Sequence, residues 1–183
     1  FHAHLFAEMD IPALSKEVHA MRGTMGNTTF YNFLVEPMEL LKISYVGHKA
    51  SRSIDDLETY QRMLQPKRLR SIAKFLNEGG KFPTNVVVNI KTKKGKRLNY
   101  TSKAKKGEAE FGTLTLPNKF ASAWVIDGQH RLYGYAYREL EGGPKKDDSV
   151  LSVLAFENLP AKDEMDMFID INSKQVKVQK SLL

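Results

Sequence analysis

The segment Val86–Ile90 is apolar at every position except Asn89, and it is flanked by Phe82-Pro83 and a lysine-rich stretch. A short apolar run of this kind predicts a strand buried on both faces, which needs strands beside it and helices over it. Enrichment in β-branched and aromatic residues predicts further strands over residues 28–35, 112–116, 124–126 and 150–156. We therefore expect an α/β to α+β fold, in which one compact mixed sheet carries packed helices.

Apolar residues at helical spacing predict where the helices lie. One helix begins at Pro66, a favourable first-turn position, and ends before Gly79. Two more are predicted around residues 132–140 and 165–169, and a short one over residues 57–64. Each of these helices has an apolar face that can cover the sheet.

The N-terminal part of the chain has a weaker pattern. Residues 3–21 carry apolar residues at a helical spacing that Pro12 interrupts, and residues 40–46 are predicted to be extended. We expect residues 1–21 to be a helical or irregular extension and residues 22–183 to form the domain. Because the chain does not start with methionine and stops abruptly, we also expect this domain to be truncated at its C-terminus.

Composition excludes several protein classes. The chain has 183 residues, of which 42% are apolar and 27% charged, which is typical of one globular domain and not of a disordered chain. The absence of cysteine excludes disulfide scaffolds, thiolate metal sites and cysteine nucleophiles. No apolar run approaches the roughly 20 residues that span a bilayer, and no secretory leader is recognisable. We expect a cytoplasmic protein with no membrane partner and no resident metal.

The positive charge of the chain is concentrated in one window. The net charge is +7, yet residues 91–106 contain eight basic residues and no acidic one, so the rest of the chain is close to neutral. The basic residues of this window are Lys91, Lys93, Lys94, Lys96, Arg97, Lys103, Lys105 and Lys106. Such a patch predicts contact with a polyanion, and we expect a poorly ordered loop that binds DNA phosphates without reading bases.

Two alternatives to this interpretation of the basic window remain open. The lysines can equally belong to a solvated hairpin tip that they keep soluble. A second candidate DNA surface lies on the helix that begins at Pro66, where Lys67, Arg70 and Lys74 share one face. A solvated helix surface explains these three residues as easily as phosphate contact does.

The stretch Asp127-Gly128-Gln129-His130-Arg131 joins a predicted buried strand to a predicted helix. A helix start offers backbone N–H groups and the positive end of the helix dipole, which together attract phosphate. Arg131 adds a planar fork suited to phosphate oxygens, and His130 can donate to phosphate or transfer a proton near neutral pH. Gln129 can orient a water molecule or read a base edge.

The same residues also have structural interpretations. Asp127 can hold a magnesium ion, or it can simply cap the helix, because aspartate is a common N-cap residue. A histidine at a helix start is often satisfied structurally. The glycine-rich loop of a P-loop is absent, so the five residues alone do not define a nucleotide site.

The motif and its surroundings also resemble a known protein family. The stretch from Val125 to Gly134, VIDGQHRLYG, resembles the defining signature of the DGQHR-domain proteins, which include DndB of bacterial DNA phosphorothioation systems. Parts of residues 60–85 and 168–175 resemble that family as well, so the likeness covers most of residues 22–183. The resemblance implies a DNA-linked function and other proteins of a modification system as partners.

The order of elements is also similar, more distantly, to the ParB/sulfiredoxin superfamily. That similarity implies a ParB/sulfiredoxin-like fold and a phosphate pocket formed by Gly128, Gln129, His130 and Arg131, with Asn172 contacting the ligand from the other side. The implied cofactor is ATP or GTP with Mg²⁺, or none. Sulfiredoxin activity is excluded because its motif needs a cysteine.

Three functions are consistent with the sequence. The first is a DNA-binding accessory or regulatory protein of a DNA-modification system, with a nucleotide or phosphate pocket at the motif. The second is a DNA-linked ATP or GTP hydrolase, for which Asp127, Gln129 and His130 are the candidate catalytic residues. The third is a non-catalytic interaction module in which the motif is structural.

Overall fold

The computed structural model describes residues 16–46, 64–93, 96–143 and 149–173. Within these ranges the chain forms a mixed sheet of eight strands and four helices. The strands are β1 (Glu17–Met25), β2 (Thr28–Val35), β3 (Ser44–Tyr45), β4 (Val86–Ile90), β5 (Asn99–Lys106), β6 (Ala109–Thr115), β7 (Ala123–Asp127) and β8 (Leu151–Glu157). The helices are α1 (Pro37–Ile43), α2 (Pro66–Asn77), α3 (Gln129–Leu140) and α4 (Ala161–Ser173). The predicted fold class is confirmed.

The strands lie in the order β3-β7-β4-β8-β2-β1-β6-β5. Strand β4 is parallel to β8 and antiparallel to β7, whereas β2, β1, β6 and β5 form an antiparallel series that continues from β8. Strand β4 lies inside the sheet and all five of its residues are buried, which confirms the predicted strand buried on both faces. The predicted helix over residues 57–64 falls almost entirely on residues 47–63, outside the described residues.

Helices cover both faces of the sheet around β4. Helices α1, α2 and α3 pack on one face, where Leu41, Leu69 and Leu132 join Val88 in the larger apolar core. Helix α4 packs on the other face, where Phe168 lies against a smaller cluster that includes Val87. Burial from both sides removes all five residues of β4 from water, which explains why the run is apolar rather than alternating.

Two local predictions are corrected by the structure. The sequence predicts an extended segment over residues 40–46, but residues 40–43 belong to α1, which starts at Pro37 and buries its apolar residues against the core. The helical pattern predicted over residues 3–21 fails at its described end, because residues 17–21 form the first part of β1. Buried Val18 and Ala20 alternate there with exposed neighbours, a period of two. The predicted boundary after residue 21 falls inside this strand.

The basic window is also more regular than predicted. Residues 99–106 are not a loop but the edge strand β5, which pairs with β6 along its whole length. The hairpin turn lies at Gly107, whose φ of 61° is in the left-handed region. The lysines of β5 are compatible with an edge strand, because charged side chains are common on the solvent edge of a sheet.

Candidate functional site

The turn between β7 and α3 has the strand–turn–helix geometry that the sequence predicts. Strand β7 ends at Asp127, Gly128 is the N-cap with φ 89° and ψ 9°, and α3 begins at Gln129. A Cβ at Gly128 would lie 3.1 Å from Val86 Cγ2, so both the backbone conformation and the close approach to β4 require glycine. The N-cap interpretation of Asp127 is wrong, because Gly128 occupies that position and no side chain caps the helix.

Arg131 holds this turn against the start of β4. Its Nη2 donates to Asp127 Oδ2 at 2.8 Å and to the Asn85 carbonyl at 3.0 Å. Its Nη1 donates to the Thr84 carbonyl at 2.6 Å and also to Thr84 Oγ1. The guanidinium therefore joins three segments: the end of β7, the first turn of α3 and the loop that leads into β4.

His130 connects the same turn to α2. Its side chain is buried, and the backbone N–H of Gln65, the N-cap residue of α2, donates to His130 Nε2 at 3.4 Å. Gln129 is buried as well.

A cleft of ≈850 Å³ opens between the turn, α2, α4 and the loop before β4. The predicted residues Asp127, Gly128, Gln129, His130, Arg131 and Asn172 all line it, which confirms that the motif borders a cavity. The amide of Asn172 is engaged within α4, where Nδ2 donates to the Phe168 carbonyl at 2.8 Å. The lining combines polar residues with apolar ones, among them Ile126, Leu154 and Ile171.

Four polar residues of the cleft were not among the predicted site residues: Arg68 and Ser71 of α2, and Thr84 and Asn85 before β4. The helical phase of α2 could have indicated the first pair, since the buried positions Leu69, Ala73 and Leu76 place residues 68 and 71 on a neighbouring face. No local pattern marks the second pair, which tertiary packing brings to the turn.

The predicted DNA-contacting residues of α2 lie away from the cleft. Lys67, Arg70 and Lys74 are exposed and none of them lines the cavity. Lys74 Nζ is 3.8 Å from Glu78 Oε1, an exposed pair of the kind that contributes little to stability. These residues form a solvent-exposed surface of the helix.

Six of the eight residues of the basic window are exposed: Lys93, Lys96, Arg97, Lys103, Lys105 and Lys106. Lys94 lies outside the described residues. Lys91 is engaged internally, because its Nζ is 3.1 Å from Glu164 Oε2 and 3.5 Å from the centroid of the Trp124 ring. The exposed cations thus belong to β5 and to the segment that leads into it.

Glu110, the acidic residue on the neighbouring strand β6, is held in an ion pair. Arg22 Nη2 donates to Glu110 Oε2 at 2.7 Å, and this hydrogen bond, followed by one from Ser102, lowers the pKa of Glu110. Glu110 therefore stays ionised and paired with Arg22, opposite Lys105 in the β5–β6 ladder. Arg22 balances its charge. Glu108, an exposed acid in the turn between β5 and β6, offsets one lysine, and Lys103, Lys105 and Lys106 still leave this edge net positive.

A comparison with known protein families identifies the family to which this chain belongs. Residues 18–183 match the family model described as "DndB: DNA-sulfur modification-associated". The chain belongs to the DndB family. No curated protein and no solved structure gives a significant match. Membership in the DndB family associates this protein with DNA-sulfur modification.

Two further findings concern the DndB-family chain as far as the structure describes it. None of its described helices combines the length and the apolar character needed to cross a membrane. Over the same residues, no group of three or more metal-ligating side chains is arranged around a common point. One carboxylate oxygen of Asp127, Oδ2, is paired with Arg131 Nη2 at 2.8 Å.

We expect Arg131→Ala to lower the stability of the protein by roughly 2–3 kcal/mol, because hydrogen bonds from a charged donor are lost and Asp127 is left without its partner. Thermal unfolding followed by circular dichroism measures this change. Arg70→Ala is the matched control, since Arg70 is exposed on α2 and outside the cleft. Equal melting temperatures for the two variants would contradict a structural role for Arg131.

Proposed function

We propose that this DndB-family protein is a DNA-binding accessory and regulatory component of a bacterial phosphorothioation-type DNA-modification system. The observation that carries the proposal is the row of exposed cations on β5 and the preceding segment, where the described residues offer no uncompensated acid on the paired strand. A positive edge of this kind attracts the phosphate backbone of a duplex. The proposed site of action is the cytoplasm, with other proteins of the system as partners.

The proposal includes a nucleotide or phosphate pocket at the DGQHR motif. Support comes from the cleft itself, whose lining combines polar residues, among them Gln129 and His130 beside Gly128, with apolar ones. An anionic group and a planar base need these two kinds of surface. The likeness of the motif to phosphate-binding turns of the ParB/sulfiredoxin type supports the same assignment, with ATP or GTP and Mg²⁺ as the ligands to test.

DNA binding is tested by removing three charges at a time. In one variant Lys103, Lys105 and Lys106 are replaced with Gln, and in a second Lys93, Lys96 and Arg97 are replaced in the same way. Each lost phosphate contact flattens the plot of log affinity against log salt by about 0.9, so we expect slopes reduced by up to about 2.7. Affinity should fall alike for unrelated duplexes, because the proposal places these side chains on phosphates, which carry no sequence information.

The matched control removes the same charge from α2, where Lys67, Arg70 and Lys74 are replaced with Gln. Fluorescence anisotropy with labelled duplexes over a range of salt concentrations measures all three variants. A slope that falls only in the α2 variant would move the DNA surface to that helix. Unchanged slopes in every variant would mean that the lysines of β5 only prevent edge-to-edge pairing with other sheets. Loss of affinity for one duplex sequence only would mean that the side chains read bases.

The second candidate function is hydrolysis of ATP or GTP, favoured by the position of Gln129 and His130 on the wall of the cleft. Phosphate release in the presence of Mg²⁺, with and without duplex DNA, tests it. Turnover that Gln129→Ala abolishes would support an enzyme. DNA binding without turnover would support the accessory role, and the absence of both activities would favour an interaction module.

A further inference from the structure

We infer that Arg68 of α2, and not Arg131 of the motif, is the cation that contacts the anionic group of the ligand in the cleft. This inference rests on the proposed nucleotide or phosphate pocket and specifies how that pocket recognises charge. It assigns Arg131 a different task, as a positioning residue that holds the walls of the cleft together.

The hydrogen bonds of Arg131 within the protein leave few of its N–H donors for a ligand. A guanidinium has five N–H donors, of which four are on the terminal nitrogens and form the planar fork that grips a phosphate. Both terminal nitrogens of Arg131 already serve two acceptors each, on Thr84, Asn85 and Asp127. A phosphate bound by this fork would have to displace bonds that hold the turn in place.

Arg68 has the opposite character. It lines the same cleft and is exposed, and among the described residues it has no ion-pair partner. The charge of Arg131 is balanced by Asp127, so Arg68 supplies the uncompensated positive charge of the cavity. Its guanidinium can therefore turn toward an incoming anion without breaking an internal ion pair.

The motif fixes the position of the helix that carries Arg68. His130 accepts a hydrogen bond from the N-cap residue of α2, three positions before Arg68. Further along α3, a Cβ at Gly134 would lie 2.3 Å from Ile72 Cγ2, so glycine allows the two helices to approach closely. His130 and Gly134 thus both help to set the position of α2 against α3, and through it the place of Arg68.

The surroundings of Arg68 indicate the chemical class of the ligand. Ser71 and Thr84 add hydroxyl groups to the lining of the cleft, and Phe168 and Leu154 add apolar surface. Hydroxyls and a guanidinium suit phosphate oxygens, and the apolar surface suits a flat organic group. These features together fit a nucleoside phosphate better than a free inorganic anion.

Isothermal titration calorimetry of the whole chain tests the inference, with ATP and GTP in Mg²⁺, the corresponding nucleosides, and inorganic pyrophosphate as probes. We expect Arg68→Ala to weaken nucleotide and pyrophosphate binding about tenfold or more, to leave nucleoside binding unchanged and to keep the melting temperature of the parent. Arg68→Lys should recover part of the loss because it restores the charge. Arg70→Ala, two residues away on α2, is the control.

Arg131→Ala should behave differently, lowering the melting temperature and weakening nucleotides and nucleosides by similar factors. If the parent binds nucleotides and Arg68→Ala binds them equally well, the role of Arg68 is overturned while the pocket stands. If nucleotide binding is lost in Arg131→Ala without any change in melting temperature, Arg131 is the phosphate ligand and the inference is wrong. If the parent binds none of the probes, the pocket and the inference both fail.

Discussion

Glu164→Ala should lower the free energy of unfolding by about 3 kcal/mol, the low end of the range for breaking a buried ion pair. Glu164 is 2% exposed on the first turn of α4. Its Oε2 accepts a hydrogen bond from Asn89 Nδ2 at 2.9 Å and lies 3.1 Å from Lys91 Nζ. Without the carboxylate, the buried amide of Asn89 loses a partner and Lys91 loses its counter-ion.

The size of this effect depends on what the partners can recover. The side chain of Lys91 is 34% exposed and can return to water, which is why we expect the lower end of the range. Asn89 is fully buried in β4 and retains its contacts with the backbone of Leu159. Chemical denaturation measures the change, and the loosening of α4 should also increase hydrogen exchange at Phe168 on the wall of the cleft.

Asp163→Ala is the control for the buried pair, because Asp163 is an exposed acid in the same first turn. Its loss removes only a favourable interaction with the helix dipole, worth a few tenths of a kcal/mol to about 1 kcal/mol. Glu164→Gln should fall between the two, since it keeps an acceptor for Asn89 but not the charge that pairs with Lys91. Similar losses in Glu164→Ala and Asp163→Ala would show that the buried pair contributes nothing.

Gly112→Val is expected to detach the basic edge strand. Gly112 is buried in β6, between Ala20 of β1 and Ser102 of β5. A Cβ there would lie 2.1 Å from the Thr101 carbonyl oxygen, a backbone atom that cannot move without shifting β5. Overpacking of this kind costs about 1–3 kcal/mol when the surroundings can adjust and more when they cannot.

Hydrogen exchange is the decisive measurement for this variant, because it reports on β5 separately from the rest of the sheet. Amides of residues 99–106 should lose protection while those of β4 keep it. If DNA binds the edge, the salt dependence of binding should weaken in the same variant. Thr113→Val is the control, since it is nearly isosteric and alters the adjacent position of β6. Unchanged protection of β5 in Gly112→Val would contradict the steric argument.

Much of the fold could be predicted because its local signals agree. The β-branched and aromatic residues of β2 and the apolar residues at helical spacing in α2 are visible in the sequence, and the structure confirms the strand and the helix. Predictions failed where a local signal competed with packing. Residues 40–43 contain Leu40, Leu41 and Ile43, which suit a strand or a helix, and burial against the core decides for the helix.

The candidate site also has features that the sequence predicts and contacts that it does not predict. The DGQHR segment is local, so its strand–turn–helix geometry follows from neighbouring residues, although the N-cap is Gly128 and not Asp127. The partners of its charged groups are not local. Thr84 and Asn85 reach Arg131 from 47 and 46 positions away in the chain, and Gln65 reaches His130 from 65 positions away.

The sequence by itself determined the class of fold, the central strand β4, the motif and the family, because each depends on residue types at fixed short spacings. Only the tertiary structure decided how the charges are used. It tied Arg131 to Asp127 and Lys91 to Glu164, and it left Arg68 and the lysines of β5 exposed. Pairing depends on which side chains packing brings within hydrogen-bond distance, and separation along the chain does not encode that distance.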